Sequence, residues 1–215
     1  MSVQKKIENG REYRNLILEV RDDSEDYIVE GYASTFNQPY TLYHLEDGRS
    51  VEEQVDSRAF DNADMSDVIM QYDHEGRVFA RLSNDTLQLK TDEHGLFVRA
   101  YLGGTQEGRN LFEEIKGGYT NKMSFGFTVK ADDFTETGKG YLRTLTEIGK
   151  VYDVSAVSLP ANDYTVISAR SHCDGAIAEI EAERLRLEEE RRALAEQKEL
   201  LSARLKALKG ETNEH

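Results

Sequence analysis

Positive charge is scarce in this sequence. Lys and Arg number 27 against 41 Asp and Glu, a formal net charge of −14. That field repels phosphate backbones and anionic lipid headgroups, which argues against nucleic-acid or membrane-surface binding. Cysteine is nearly absent too. Cys173 stands alone, so no intrachain disulfide can form and a reducing compartment is expected. It sits in the polar stretch Ser171-His172-Cys173-Asp174, a poor setting for a nucleophile. The opening MSVQKKIENGREYRN has no apolar h-region, and no run of ~20 apolar residues occurs, so the expectation is a cytosolic chain without a membrane span. G-x-G-x-x-G, Walker A and G-x-S-x-G signatures are missing, which removes the dinucleotide, P-loop and nucleophile-elbow readings.

What is present is strand-like. Tyr27–Phe36 is rich in β-branched and aromatic residues, and further strand candidates are Arg14–Val20, Val68–Tyr72, Val78–Leu82, Thr86–Thr91, Gly95–Leu102, Met123–Val129, Tyr141–Ile148 and Val151–Leu159. Gly, Asn and Asp punctuate them, and the two prolines, Pro39 and Pro160, fall at strand-candidate ends. Ser57–Asn62 reads as a capped turn. Thr105–Lys116 reads as a helix, capped by Thr105 and stopped by Gly117-Gly118. The expected class is mainly β (α+β): a compact antiparallel β-barrel, closed or half-closed, with a few short helices and a long C-terminal helix.

The tail obeys a different period. Ile180, Leu187, Leu194, Leu201 and Leu208 recur every seven residues, and Ile177 and Leu205 support the neighbouring seam position, which also carries Arg184, Arg191 and Lys198. This predicts one long helix of coiled-coil character, either solvated or covered by a partner helix. The expected division is a domain over 1–170 and a coiled-coil-like helix and tail over 171–215.

The segment KMSFGFTV, Lys122–Val129, frames the chemical question. As a strand it sends Met123, Phe125, Phe127 and Val129 to one face and Ser124, Gly126 and Thr128 to the other. The first set suits a core; the second leaves a hydroxyl beside a bare glycine. A nucleophilic serine needs a base, a group to hold that base, and oxyanion donors. His74 follows the apolar run Val68-Ile69-Met70 at a Gly-containing turn, where an imidazole is well placed to face a cleft. Asp153 is the one carboxylate within the apolar strand Val151–Leu159, and a charge there needs a partner such as an imidazole N–H. A purely structural, hydrogen-bonded Asp153 is the alternative. Metal binding by Asp73-His74-Glu75 is disfavoured, because adjacent residues cannot all face one ion and no second histidine stands at a ligating spacing. No metal and no cofactor are expected.

The strings VEGYASTF (Val29–Phe36), SRAFD (Ser57–Asp61), QYDHEG…ARL (Gln71–Leu82), LQLKTDEHGLFVRAYL (Leu87–Leu102), IKGGYTNKMSFGF (Ile115–Phe127) and VYDVSAVSLPAN (Val151–Asn162) occur in this order. Together they resemble the prohead (procapsid maturation) serine proteases of tailed bacteriophages over about residues 12–170, a family sharing a β-barrel fold with the herpesvirus assembly protease. The resemblance implies His74 as base, Ser124 as nucleophile and Asp153 as third member, with Glu147 as rival acid, backbone amides around Ala161–Asp163 as oxyanion donors, and Gly126 leaving room for a substrate backbone. It implies cleavage of scaffold protein or the scaffolding segment of the major capsid protein, and of the enzyme itself, inside the procapsid in the host cytoplasm. The helical tail would then bind scaffold or a second copy. Two rival readings stand beside it: a catalytically silent assembly factor acting through its tail, and a serine esterase of unrelated fold.

Overall fold

A computed structural model describes residues 3–6, 11–20, 26–158 and 163–211, with side chains at 11–14, 26–158 and 169–204. It divides into two compact units, Met1–Asp174 and Gly175–His215. The strands of the first are β1 (Val3–Lys6), β2 (Arg11–Val20), β3 (Ile28–Thr35), β4 (Tyr40–His44), β5 (Ser50–Val55), β6 (Ile69–Tyr72), β7 (Glu75–Arg81), β8 (Leu87–Thr91), β9 (Gly95–Tyr101), β10 (Lys122–Thr137) and β11 (Gly140–Val157). Helix α1 (Gln106–Lys116) lies between β9 and β10, and α2 (Asp163–Glu211) begins in the first unit and runs through the second.

Mainly β within the α+β class is what the molecule has; a closed barrel is not. The hydrogen-bonded order β4-β5-β11-β10-β2-β3-β9-β8 has two free ends, with β1 on β10 and a β6–β7 hairpin branching from β11. Closure needs the first and last strands to pair, and β4 and β8 do not. Nor is the pairing wholly antiparallel, since β5 and β6 both run parallel to β11.

Alternation decides which face of β10 is core. Met123, Phe125, Phe127 and Val129 are buried in one cluster with Met70, Val98, Leu145 and Val154, and Phe125 stacks on Phe127 with centroids 4.4 Å apart. Helix α1 closes this core with Leu111, Phe112 and Ile115, and its first turn is capped by Thr105, whose Oγ1 accepts from Gly108 N at 3.0 Å. Ser57–Asn62 forms successive turns rather than a helix: Ala59 N bonds Asp56 O and Asp61 N bonds Arg58 O.

Where β2, β5, β10 and β11 meet, the interior is ionic. Arg143, fully buried, donates to Glu12 at 2.9 Å, Glu53 at 2.8 Å and Asp132 at 2.6 Å. Arg14 donates to Glu53 at 2.6 Å and to Glu12 at 2.5 Å, and Tyr40 Oη donates to Glu53. From α2, His172 Nε2 lies 3.0 Å from Asp132. Burial alone would raise the Glu12 carboxyl, but Arg143 and Arg14 outweigh it and hold it at about 2. Cys173, next along α2, is buried, and burial pushes its thiol up to about 12, an inert state.

In the second unit α2 is exposed over much of its surface, including Leu185, Leu194, Leu200 and Leu201. No helix among the described residues is long and apolar enough to cross a membrane.

Candidate active site

His74 is presented by the tightest turn available. Tyr72 pairs with Glu75 across the β6–β7 hairpin, leaving Asp73 and His74 as a two-residue loop, with φ of 50° and 62°. Two successive left-handed residues are the mark of a type I′ turn, normally given to Asn-Gly because a Cβ is disfavoured there. Holding an aspartate and a histidine in it costs of order 1–3 kcal/mol each, so the surroundings must fix it. Asp73 N donates to Ala156 O at 2.9 Å, and the Asp73 carboxylate accepts from Ser158 N at 2.9 Å and Ser158 Oγ at 2.8 Å. The turn is thereby clipped to the end of β11.

That clip delivers the imidazole to Asp153. His74 Nδ1 lies 2.5 Å from Asp153 Oδ1. A carboxylate only accepts, so the bridging proton sits on Nδ1 and the neutral ring keeps its lone pair on Nε2. Ser155 Oγ donates to the same Oδ1 at 2.8 Å. Between Gly126/Phe127 the β10–β11 register shifts: Gly126 faces Asp153 while Phe127 faces Val151, so Tyr152 has no residue opposite it on β10. Such an irregularity re-aims the side chains beside it.

Ser124 shares this face. It stands opposite Ser155, as Gly126 stands opposite Asp153, and directly opposed residues project to the same side. Ser124 and Asp153 are therefore diagonal neighbours, roughly 7–8 Å apart, a gap that one imidazole bonded at both nitrogens can bridge. In this resting arrangement the bridge is half made. Ser124 is 1% exposed, and its Oγ has no hydrogen-bond partner among the described residues. Hydrogen bonds at unliganded catalytic sites are often loose and tighten when substrate binds.

The space over Gly126 differs from expectation. A Cβ there would lie 2.5 Å from Asp153 Oδ2 and 2.8 Å from Tyr13 Cε1. Glycine is needed for the Asp153 carboxylate and the Tyr13 ring, not for a substrate backbone. The same Tyr13 ring meets the His74 ring edge-on, centroids 4.2 Å apart. Sequence reasoning missed both Tyr13 and Ser155. Ser155 had a usable signal, since on a strand it follows Asp153 by two and so shares its face.

Of the sequence-predicted residues, the fold brings His74 and Asp153 into contact and sets Ser124 on their face. Glu147 is salt-bridged to Lys130 instead. Asp73 bonds Ser158 and His74 bonds Asp153, so these two adjacent side chains turn to different partners. His94 packs edge-on against Tyr32, and His172 serves the ionic interior. Ala161 and Asn162 of the expected oxyanion loop lie outside the described residues, as does His215.

A family model described as caudovirus prohead serine protease matches residues 15–179. No curated protein and no solved structure matches the chain significantly.

Proposed function

Because this chain belongs to the caudovirus prohead serine proteases, we propose that it is an endopeptidase of capsid maturation with Ser124 as nucleophile, His74 as general base and acid, and Asp153 as the holder of the imidazole. The observation that carries this reading is the His74–Asp153 bond on the same sheet face as Ser124, whose hydroxyl has no partner among the described residues. Nε2 takes the Ser124 proton as Oγ attacks the scissile carbonyl, and returns it to the leaving amine when the C–N bond breaks. Asp153 keeps the proton on Nδ1 and stabilises the imidazolium that forms. Water, deprotonated by the same nitrogen, then releases the acyl group from Ser124.

The proposed substrates are scaffold protein or the scaffolding segment of the major capsid protein, and the enzyme itself, within the procapsid. Residues 1–170 carry the chemistry in this reading. The coiled-coil-like helix and tail over 171–215 recruit the enzyme to scaffold or pair with a second copy, which suits the exposed Leu185, Leu194, Leu200 and Leu201. Tail deletion should then lower the copy number of the enzyme in purified procapsids; an unchanged number contradicts recruitment.

A second reading is favoured by one observation. A hydroxyl 1% exposed and without a partner among the described residues also suits a catalytically silent assembly factor. Co-expression with the major capsid protein, with and without Ser124→Ala, separates the two. Capsid protein shortened only by the Ser124 form supports the protease, and equal processing by both forms supports the silent factor.

A further inference from the structure

The two oxygens of Asp153 are treated differently. Oδ1 receives both hydrogen bonds, from His74 Nδ1 at 2.5 Å and Ser155 Oγ at 2.8 Å, while Oδ2 lies over Gly126. The torsion that turns a carboxylate is broad and weakly held by its own bonds. A donor on the oxygen that faces His74 is therefore what selects one orientation. Ser155 is fully buried, and its hydroxyl serves a charged acceptor. Asp153 is itself only 3% exposed, so water has little access to replace that bond.

We infer that Ser155 is a positioning residue, which holds Oδ1 of Asp153 toward His74 and thereby sets the orientation of the imidazole. The inference rests on the proposed Ser124–His74–Asp153 chemistry and adds a fourth residue to it. Ser155 also stands opposite Ser124 across the β10–β11 ladder, so one strand pair carries nucleophile, acid and positioning group together. Loss of the donor has two consequences. The carboxylate gains freedom to turn away, which slows the reaction. The reorientation of the imidazole follows that of the carboxylate that holds it.

The test reads fluorophosphonate incorporation at Ser124 by peptide mass spectrometry in the full-length protein. Ser155→Ala should react about tenfold more slowly, the scale of one hydrogen bond to a charged group. The shape-matched pair Ser155→Thr and Ser155→Val separates hydroxyl from packing: Thr should restore the rate, and Val should not. In an Asp153→Ala background, Ser155→Ala should change nothing further, since its effect travels through Asp153. A Ser155→Ala protein with the parent's rate, or one that loses a further tenfold beside Asp153→Ala, overturns the inference alone. A parent protein labelled no faster than Ser124→Ala removes the serine chemistry and this inference with it.

Discussion

His74 and Asp153, 79 positions apart in sequence, meet at 2.5 Å through Nδ1 and Oδ1. The contact joins a strained hairpin turn to the C-terminal third of β11, the longest strand described. It leaves only Nε2 to serve Ser124. In the proposed triad, His74–Asp153 is thus the fixed half, and the Ser124 half must still close.

Asp153→Asn tests the fixed half. An amide can present its NH2 to the ring and drive the proton to Nε2, the nitrogen that must be free. The rate should fall by about 10⁴ while the fold persists, measured as turnover of capsid protein alongside thermal unfolding. A loss smaller than tenfold would mean that the acid is structural.

Ser124→Ala should separate stability from activity. The buried Ser124 hydroxyl has no partner among the described residues, an arrangement that costs about 1–3 kcal/mol, so removing it should raise the unfolding temperature by about 2–4 °C per kcal/mol regained while abolishing turnover. A lower unfolding temperature would show that the hydroxyl has a partner in solution.

Gly126→Ala pushes a methyl into the Asp153 carboxylate and the Tyr13 ring. Destabilisation of about 1–3 kcal/mol follows from overpacking, and displacement of Asp153 should cost on the order of 10² in rate. Unfolding curves and capsid-protein turnover check the two effects separately.

Acid should unfold the protein through Glu12. Its folded carboxyl sits at about 2 against a reference of 4.5, so the unfolded chain binds the proton more readily. The stabilisation is present above pH 4.5 and is lost as pH falls toward 2, a change of about 3 kcal/mol. In Glu12→Gln the stability should be lower at neutral pH and flatter across that window. An unaltered slope would move the linkage to other carboxylates.

Much of this was legible in the residues, and the omissions have physical causes. The period-two pattern of Met123–Val129 marked the core face and the hydroxyl face of β10. An isolated carboxylate among Val151, Val154 and Val157 marked Asp153. The two-residue turn was not legible, because Asp73-His74 lacks the glycine that left-handed turns ordinarily require, and only the clip to Ala156 and Ser158 holds it. Strands β4 and β5 escaped notice for a related reason. β5 reads Ser-Val-Glu-Glu-Gln-Val, and Glu53 looks solvent-facing until Arg14 and Arg143, from two other strands, are placed against it. Barrel closure was inferred from the number of strands. What decides closure is whether the end strands pair, and no local pattern encodes that.

Intact mass of the major capsid protein, co-expressed with this chain or with its Ser124→Ala form, tests the central claim most directly. The account predicts a shortened capsid protein with the parent chain and a full-length one with the variant. Identical shortening by both would contradict it.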